Sequence, residues 1–454
     1  MEPIAELPLE QSARLTGLTR GQAVVMAGLI GLVLFVAATT PEEGLRLLTV
    51  GLWALFTIAA LWRLVLLLIA PPAPRAAPAP SELPRYTIVA ALRDEAAMVD
   101  QLVDRLSRLD YPSDRLQGFL ALEADDAATI AAARGARRPD WLEVLIVPPG
   151  HPTTKPRALN HALAVATGNL ITVYDAEDDP SPGQLREAAA RFAGGDEGLA
   201  CLQAPLRVRA TQRSATRFLD RQFAAEYAAL FEVILPAYAR LRMPFPLGGT
   251  SNHFRTDVLR AIGGWDAHNV TEDADIGFRL WRRGYRLDVL GSPTWEPPPG
   301  GLDRWLPQRC RWLKGFMQTW GVHMRAPSGQ GWRGLAAFQA TLGRTIVSAA
   351  LYAPALLAVL YFVGASLETH RLIIPPVALG VLGCGAVLAW TSCWLGARRA
   401  GIRYGVIDML QAPIYWSLLT LAFVHAAWRL VRQPHAWDKT QHTPDEPETG
   451  RPAA

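Results

Sequence analysis

Carboxylates are crowded together directly after an apolar segment in the middle of the chain. Asp175, Glu177 and Asp178 follow the segment LITVY. Ionised carboxylates at close range repel one another unless a cation lies between them. Hard divalent cations bind one or two protein carboxylates together with substrate phosphates. The cluster therefore predicts a Mg²⁺ or Mn²⁺ site from which a diphosphate departs, with a solvated acidic loop as the alternative.

Two further groups of acids follow apolar segments closer to the N-terminus. Asp94 and Glu95 come after TIVAAL, and Asp125 and Asp126 come after FLALEA. Acids at the carboxyl ends of neighbouring strands are well placed to accept hydrogen bonds from a nucleotide. Each pair also suits the N-terminal cap of a helix. We expect these four residues to bind a nucleotide, and the capping role stays open.

A lysine and a run of small residues are candidates for contacts with phosphate and sugar groups. Lys155 stands just before a predicted helix, where a cation meets phosphate oxygens. In the run from Gly248 to Asn252, Gly249 allows close approach of the backbone to a ligand, and Asn252 hydrogen-bonds hydroxyl groups. An exposed lysine and an ordinary turn are the alternatives.

A third acidic motif precedes an apolar pattern with helical spacing. In Thr271-Glu272-Asp273, the threonine is placed to cap the helix and Asp273 falls in its first turn beside Glu272. An aspartate held there can accept a proton from a reacting hydroxyl group. Simple capping explains the same spacing, so a general base is one of two interpretations.

The segment from about 303 to 325 alternates aromatic residues with arginines, as an amphipathic helix at a membrane surface does. Gln308, Arg311 and Trp312 share one face of this helix through three- and four-residue spacing. Tryptophan can stack on a sugar ring and arginine can neutralise a diphosphate. The same residues would also serve as plain membrane anchors.

The elements that must position these residues begin after a Pro/Ala-rich linker. From residue 86, short apolar strands alternate with amphipathic helices, which predicts a parallel, doubly wound sheet. Ligands of such sheets bind beyond the carboxyl ends of the strands. All three early groups of acids fall at those ends, which favours a single nucleotide pocket.

Apolar segments flank this domain on both sides. Residues 22–39 and 46–70 are long enough to cross about 30 Å of hydrocarbon, as are residues 345–363 and 372–395. The last stretch, 405–430, either crosses or folds back along the membrane surface. Arginines beside the first two segments place the N-terminus and the catalytic region in the cytoplasm. The predicted division is 1–70 hairpin, 71–85 linker, 86–300 catalytic domain, 301–330 interfacial helix, 331–432 membrane region and 433–454 partly disordered tail.

Composition excludes several classes of protein. Half of the residues are hydrophobic, 19% are charged, and the net charge is only +4, without a basic stripe for nucleic acid. The four cysteines have neither disulfide-framework nor zinc-ligand spacing. The first apolar segment lacks a clear cleavage site, so we expect a retained helix and a multi-pass protein of the inner (plasma) membrane.

Taken in order, the acidic strand ends, Asp175-x-Glu177-Asp178, Thr271-Glu272-Asp273 and Gln308-x-x-Arg311-Trp312 resemble processive family 2 glycosyltransferases, the group of the cellulose and hyaluronan synthases. The likeness runs from about residue 86 to 320. It implies a GT-A fold, a Rossmann-like mixed sheet, beside helical membrane segments. The ordered set is more specific than any single motif.

The resemblance also implies roles for the residues. The base that deprotonates the acceptor would be Asp273, assisted by Glu272, and the metal would be held by Asp175 and Glu177. The nucleotide sugar would be bound by Asp94, Glu95, Asp125, Asp126, Lys155 and Asp175. The acceptor and the diphosphate would be contacted by Gly249, Asn252, Gln308, Arg311 and Trp312. The usual Asp-x-Asp is Asp-x-Glu in this chain, so the choice of metal ligand among the clustered carboxylates stays open.

The resulting hypothesis is a metal-dependent, inverting hexosyltransferase of the membrane. It would move a sugar from a nucleotide sugar, expected to be a UDP-sugar, to a growing polysaccharide, with room for accessory subunits that assist export. The alternative is transfer of one sugar to a lipid carrier or membrane lipid. A transporter or receptor that keeps the sheet as a binding module without turnover is a third hypothesis, and the intact Asp273 and the acidic metal cluster argue against it.

Overall fold

The computed structural model describes residues 3–71, 82–209, 217–371, 376–434 and 444. Most of the predicted linker and tail therefore lies outside the described residues. The strands are β1 Tyr86–Leu92, β2 Leu116–Glu123, β3 Leu142–Val147, β4 Leu170–Val173, β5 Asp179–Pro180, β6 Leu199–Gln203, β7 Leu206–Val208, β8 Asn252–Arg255, β9 Arg286–Val289 and β10 Thr294–Glu296. The α-helices are α1 Arg20–Thr39, α2 Pro41–Ile69, α3 Val99–Ser107, α4 Ala127–Gly135, α5 Lys155–Val165, α6 Gln184–Gly194, α7 Arg217–Ala229, α8 Leu235–Arg240, α9 Thr256–Ala261, α10 Glu272–Arg282, α11 Leu302–His323, α12 Gly331–Phe338, α13 Arg344–Thr369, α14 Pro376–Ala400 and α15 Val406–Arg432.

Seven strands form one sheet in the order β3-β2-β1-β4-β8-β6-β9. The first four are parallel, as the alternation of strands and helices predicts. Strand β8 is antiparallel to both β4 and β6, so the sheet is mixed and not fully parallel. This matches the GT-A class of fold that the resemblance implies. A smaller sheet, β5-β10-β7, stands beside it.

The sheet is buried on both faces. Along β1, Ile88 and Ala90 pack into one apolar cluster, whereas Val89 packs into the other. Successive side chains of a strand point to opposite faces, so a continuous apolar run is what a strand between two helical layers requires. The two cores hold the carboxyl ends of β1, β2 and β4 in register at one edge.

Helix α7 joins the catalytic domain to the membrane helices. It continues through the π-helical turn Leu230–Ile234 into α8. A Cβ atom on Gly396 of α14 would lie 2.4 Å from the Ala228 backbone of α7, so only glycine permits this close approach of the two helices. The catalytic domain is therefore fixed against α14 by direct helix packing.

Four helices of the described chain are long and apolar enough to cross a membrane: Glu42–Ile69, Pro327–Thr369, Pro376–Ala400 and Val406–Arg432. The first apolar segment forms a shorter one, Arg20–Val36. These helices coincide with the predicted apolar segments, with bounds that differ by several residues. Their exposed leucine, valine and phenylalanine side chains are what lipid-facing surfaces require.

The last apolar helix, α15, runs along α11. The indole of Trp305 donates to Tyr415 Oη at 3.2 Å, Cys310 Sγ lies 3.5 Å from the Ala422 carbonyl, and Lys314 Nζ donates to a carbonyl at residue 433 at 3.3 Å. One face of α15 is thus covered by the catalytic side of the molecule. Its opposite face exposes apolar side chains such as Leu421 and Trp428.

Candidate active site

A cavity of about 210 Å³ opens at the edge of the sheet where β1, β2 and β4 end. Ten of the residues predicted for the site line it: Glu95, Lys155, Asp175, Glu177, Gly249, Glu272, Asp273, Gln308, Arg311 and Trp312. They come from six separate parts of the chain. The fold therefore brings together most of the motifs that the sequence analysis selected.

Gly249 lies between two of the acidic motifs. A Cβ atom at this position would lie 3.4 Å from Asp273 Oδ2 and 3.9 Å from Asp175 Oδ2. The candidate base and the candidate metal-binding motif therefore face the same small volume, on either side of a backbone segment without a side chain.

Lys155 holds this part of the cavity together. Its ammonium group donates to Asp175 Oδ1 and, at 2.7 Å, to the Gly249 carbonyl. Burial lowers the pKa of Lys155, but the carboxylates of Asp175, Glu272 and Asp273 outweigh it and raise the pKa above its usual value. The lysine is thus a fixed positive charge among the acids of the site.

The acidic cluster after β4 includes the buried Asp178 and gains one further carboxylate, Glu296, from the small sheet. Asp178 is fully buried and accepts hydrogen bonds from the Asp175 backbone at 2.7 Å and from Thr250. Burial, and then the charges of Asp175 and Glu177, raise the pKa of Asp178 well above its usual value. Glu296, on the small sheet, lines the cavity and has its pKa raised by burial and by the same carboxylates.

This excess of negative charge fits a divalent cation. No group of three or more His, Cys, Asp or Glu residues with metal-binding geometry occurs in the described part of the chain. An ion that takes two carboxylates, and completes its shell with phosphates and water, needs no such group. Asp175 and Glu177 both line the cavity and are suited to that role.

Glu272 and Asp273 begin α10, with their carboxylates in the cavity. Burial, followed by the charge of Asp273, raises the pKa of Glu272 to about 7. Burial also raises the pKa of Asp273, although Lys155 and Arg311 oppose this. Thr271 precedes the helix, but its side chain makes no capping hydrogen bond, so capping through this side chain does not explain the motif.

Helix α11 closes one side of the cavity. A Cβ atom on Gly315 would lie 2.3 Å from Thr271 Cγ2, so a glycine is needed for α11 to approach the start of α10. Arg311 Nε and Gln308 Oε1 are buried at the cavity and have no hydrogen-bond partner among the described residues. Buried polar atoms without a partner are costly, which favours a polar ligand at this position.

Trp312 is held by an aromatic cluster. Its ring stacks on Phe223 and Tyr227 at centroid distances of 6.2 and 6.1 Å. The guanidinium of Arg309 lies 4.6 Å from the Trp312 centroid and forms a two-fold ion pair with Glu226, at 2.8 and 2.6 Å. Arg309 thus fixes the tryptophan ring, a positioning role that the sequence analysis did not identify.

Four predicted site residues do not line the cavity. Asp126 caps α4 by accepting from the Thr129 backbone at 3.1 Å, and it also accepts from the Asp94 backbone at 2.6 Å. Asp94 and Asp125 have largely exposed side chains that face Arg93. Asn252 donates to the Gly248 carbonyl at 2.7 Å and so stabilises the backbone of the segment that contains Gly249. A nucleotide-binding role for these acids stays a prediction.

Residues that the sequence analysis did not assign include Glu296, Tyr227 and Phe231, which all line the cavity. Glu296 is the last residue of a strand. The sequence could have indicated it, because the other acids of the site also lie at or just after strand ends. The two aromatic residues lie on a helix that carries no chemical motif. Only its packing against Trp312 reveals their position.

We expect Asp275→Asn to lower the free energy of unfolding by about 3 kcal/mol or more, because it breaks a buried charge network. Asp275 accepts from Arg279 at 2.6 Å and contacts His323 at 2.8 Å, and all three side chains are buried. The network ties α10 to α11. Thermal unfolding in detergent measures the loss, and Asp100→Asn, at an exposed first-turn position of α3, is the matched control.

We expect the transfer rate to fall as the pH decreases through about 7, because Glu272 then takes up a proton beside the candidate base. The carboxylate pair is ionised only above this value. Glutamine mimics the protonated form of Glu272, so Glu272→Gln should transfer at the low rate of the acidic wild type at every pH and should lose the limb near 7. A pH profile of transfer at saturating donor measures this, and an unmoved limb would exclude Glu272 as its origin.

The mixed sheet and the cavity at its edge have the architecture of a GT-A fold. The model for glycosyl transferase family group 2 matches residues 170–431, more than half of the chain, so the protein belongs to this family. The match extends from β4 through α10 and α11 into α15.

Individual proteins show more distant similarity. A β-monoglucosyldiacylglycerol synthase of Synechocystis sp. is 28% identical over 52% of this chain and 49% of its own length. The catalytic subunit of cellulose synthase 1 of Komagataeibacter xylinus is 25% identical over 54% of this chain and 32% of its own. The chain thus spans about half, or less than half, of the length of these relatives.

A solved mannosyltransferase of Pyrobaculum calidifontis, in complex with GDP-Man and Mn²⁺, shares the fold. Its TM-score is 0.55 at 19% identity, with 84% of this chain and 97% of that chain covered. At this identity the likeness concerns the fold alone. Together with the four helices long enough to cross a bilayer, the family assignment indicates a membrane glycosyltransferase.

Proposed function

We propose that the protein transfers a sugar from a nucleotide sugar, with inversion at the anomeric carbon, to a lipid acceptor in its own membrane. The arrangement of Asp273 and Asp175 on either side of Gly249 carries this proposal. One carboxylate can take a proton from the acceptor, while the other lies where the donor diphosphate would be held. A single displacement needs these two parts and no covalent nucleophile.

In this mechanism the acceptor hydroxyl oxygen attacks the anomeric carbon while the bond to the diphosphate breaks. Asp273 takes the hydroxyl proton, and Arg311 donates to the departing diphosphate. Asp175 and Glu177 would hold Mg²⁺ or Mn²⁺, which neutralises part of the diphosphate charge when bound. Gln308 and Trp312 would contact the sugars at the membrane side of the cavity.

The cavity wall supports a lipid acceptor. Tyr227, Leu230 and Phe231 line the cavity from α7 and the π-helical turn, and the neighbouring Ala228 packs on α14. One helix therefore separates the reaction volume from a candidate membrane span. The likeness to a synthase named for monoglucosyldiacylglycerol points the same way.

Extension of a polysaccharide is the second candidate. The stacked rings of Trp312, Tyr227 and Phe223 form an aromatic surface suited to sugar rings, and the likeness to a cellulose synthase subunit agrees with it. This candidate requires a path for polymer through the membrane helices, whereas a lipid acceptor requires none.

We further propose that the shorter helix α1 crosses the membrane together with α2, α13 and α14, and that α15, although it is long and apolar enough to cross, lies along the membrane surface. The continuous contact of α15 with α11 supports this, because α11 also contributes to the catalytic cavity. The catalytic domain would then face the cytoplasm at the inner membrane, where nucleotide sugars are made. An even number of crossings places both chain ends on that side.

Incubation of the purified full chain with labelled UDP- and GDP-sugars, Mg²⁺ or Mn²⁺ and a membrane lipid extract tests the proposal. We expect label in the organic phase on a product of lipid size, and its loss with EDTA. High-molecular-mass label in the aqueous phase would favour the polysaccharide candidate instead. Absence of transfer from every donor, with wild type equal to Asp273→Asn, would contradict both.

A further inference from the structure

A second cleft, of about 400 Å³, lies at the corner where α14 ends and α15 begins. We call it the corner cleft and define it by Arg221, Trp394, Arg398, Arg403 and Tyr404. Arg221 comes from α7, whereas the other four residues belong to α14 and the turn that follows it. The cleft is therefore built jointly by the catalytic domain and the membrane helices, and it is separate from the catalytic cavity.

The corner cleft carries an excess of positive charge. Arg221 is paired with the buried carboxylate of Asp408. Arg398 lies 5.7 Å from the Trp394 ring centroid, and both Arg398 and Arg403 are exposed. Within the described residues, neither of these two arginines has a carboxylate within 4 Å. Two guanidinium groups at one cleft form a site for an anion that accepts several hydrogen bonds, such as a phosphate group.

Tyr404 adds a polar group deeper in the cleft. Its side chain is only 7% exposed, and apart from the neighbouring Cys393 thiol its hydroxyl has no hydrogen-bond partner in the described part of the chain. A buried hydroxyl that lines a cleft is a donor available to a ligand. It also distinguishes the cleft from a plain surface patch of arginines.

The surroundings of the cleft indicate a lipid and not a soluble anion. Helix α14 is a candidate membrane span, and the cleft lies at its end on the side of the catalytic domain. Trp394 is 42% exposed, and the next residues after the cleft, Val406 and Ile407, are 69% and 71% exposed. Aromatic and basic residues beside exposed apolar side chains are typical of the headgroup region of a membrane.

We propose that the corner cleft binds the headgroup of an anionic phospholipid. Arg398, Arg403 and the Tyr404 hydroxyl contact the phosphate, and Trp394 lies beside the upper part of an acyl chain. The site does not depend on the proposed function. Because Arg221 and Tyr227 lie six residues apart on α7, the bound lipid rests against the same helix that forms a wall of the catalytic cavity.

Quenching of tryptophan fluorescence by brominated lipids tests this proposal. The full chain is placed in phosphatidylcholine nanodiscs that contain increasing fractions of brominated phosphatidylglycerol or, in parallel, brominated phosphatidylcholine. The difference in quenching between the wild type and Trp394→Phe gives the contribution of Trp394, the tryptophan of the cleft. We expect this contribution to reach half of its maximum at a markedly lower fraction of phosphatidylglycerol than of phosphatidylcholine.

The double variant Arg398→Gln/Arg403→Gln should weaken the preference for phosphatidylglycerol by roughly 25-fold, from about a five-fold loss per arginine. Arg432→Gln removes an exposed arginine at the other end of α15 and should leave the preference unchanged. If the double variant does not purify as a folded protein, Arg403→Gln alone should show the five-fold loss, because this residue lies in an exposed turn.

Three results would overturn the proposal. The first is equal quenching by the two lipids in the wild type. The second is an equal loss of preference in Arg432→Gln, which would show a general effect of charge. The third is release of the brominated phosphatidylglycerol by millimolar inorganic phosphate, which would assign the cleft to a soluble anion.

Discussion

Replacement of Asp273 by asparagine is expected to lower the turnover number by roughly 10³-fold, while the affinity for the donor changes little. Asparagine has nearly the same shape but cannot accept the hydroxyl proton. Asp273 lies in the cavity opposite the Asp175 cluster, and the Asp175 cluster together with Lys155 remains intact in the variant. Steady-state transfer kinetics and donor binding by calorimetry separate the two quantities.

Asp257→Asn is the matched control for Asp273→Asn. Asp257 also lies in the first turn of a helix, α9, but its side chain is exposed and does not line the cavity. The control should keep the turnover of the wild type. Undiminished turnover in Asp273→Asn would refute the assignment of the base, and loss of donor binding would indicate a structural role instead.

Arg311→Met is expected to lower the turnover number by about 10² to 10³-fold, because it removes a positively charged donor from the departing diphosphate. Its Nε atom is buried at the cavity without a hydrogen-bond partner in the described residues, and its charge acts on Glu272 and Asp273. Methionine keeps most of the apolar length of the side chain. The effect should be larger on turnover than on the KM of the donor.

Arg304→Met is the corresponding control, since Arg304 lies on the same helix with an exposed side chain. A similar loss of turnover in both variants would trace the effect to the charge of α11 at the membrane and not to the diphosphate. A rise in KM alone for Arg311→Met would mean that the arginine binds the donor equally in the ground state and in the transition state.

The sequence predicted the elements of the site well, because each one is locally encoded. The run of apolar residues in β1 requires a strand buried on both faces, and the acids that follow β1, β2 and β4 mark the edge where the cavity opens. The predicted helix from about 303 to 325 is present as α11, since its spacing of apolar and basic residues is periodic.

The roles of individual acids were harder to predict. Asp126 and Glu95 both follow strands in the sequence, yet Asp126 caps α4 while Glu95 lines the cavity. The difference depends on side-chain direction at the end of each strand, which is set by the neighbouring helix. Glu296 is the opposite case, an acid that the sequence analysis did not select but that lines the cavity. The pairing of β10 with β5 and β7 brings it to the cluster from more than a hundred residues away.

By itself, the sequence determined which motifs occur together with the long apolar segments. They are acids at strand ends, an acidic motif at the start of a helix and an amphipathic helix with Gln-x-x-Arg-Trp. Only the tertiary structure decided which of these side chains meet. Gly249 separates Asp273 from Asp175, and Gly315 lets α11 approach α10, through contacts between segments distant in the chain. Such contacts depend on the packing of whole helices and strands, and no local pattern of residues encodes them.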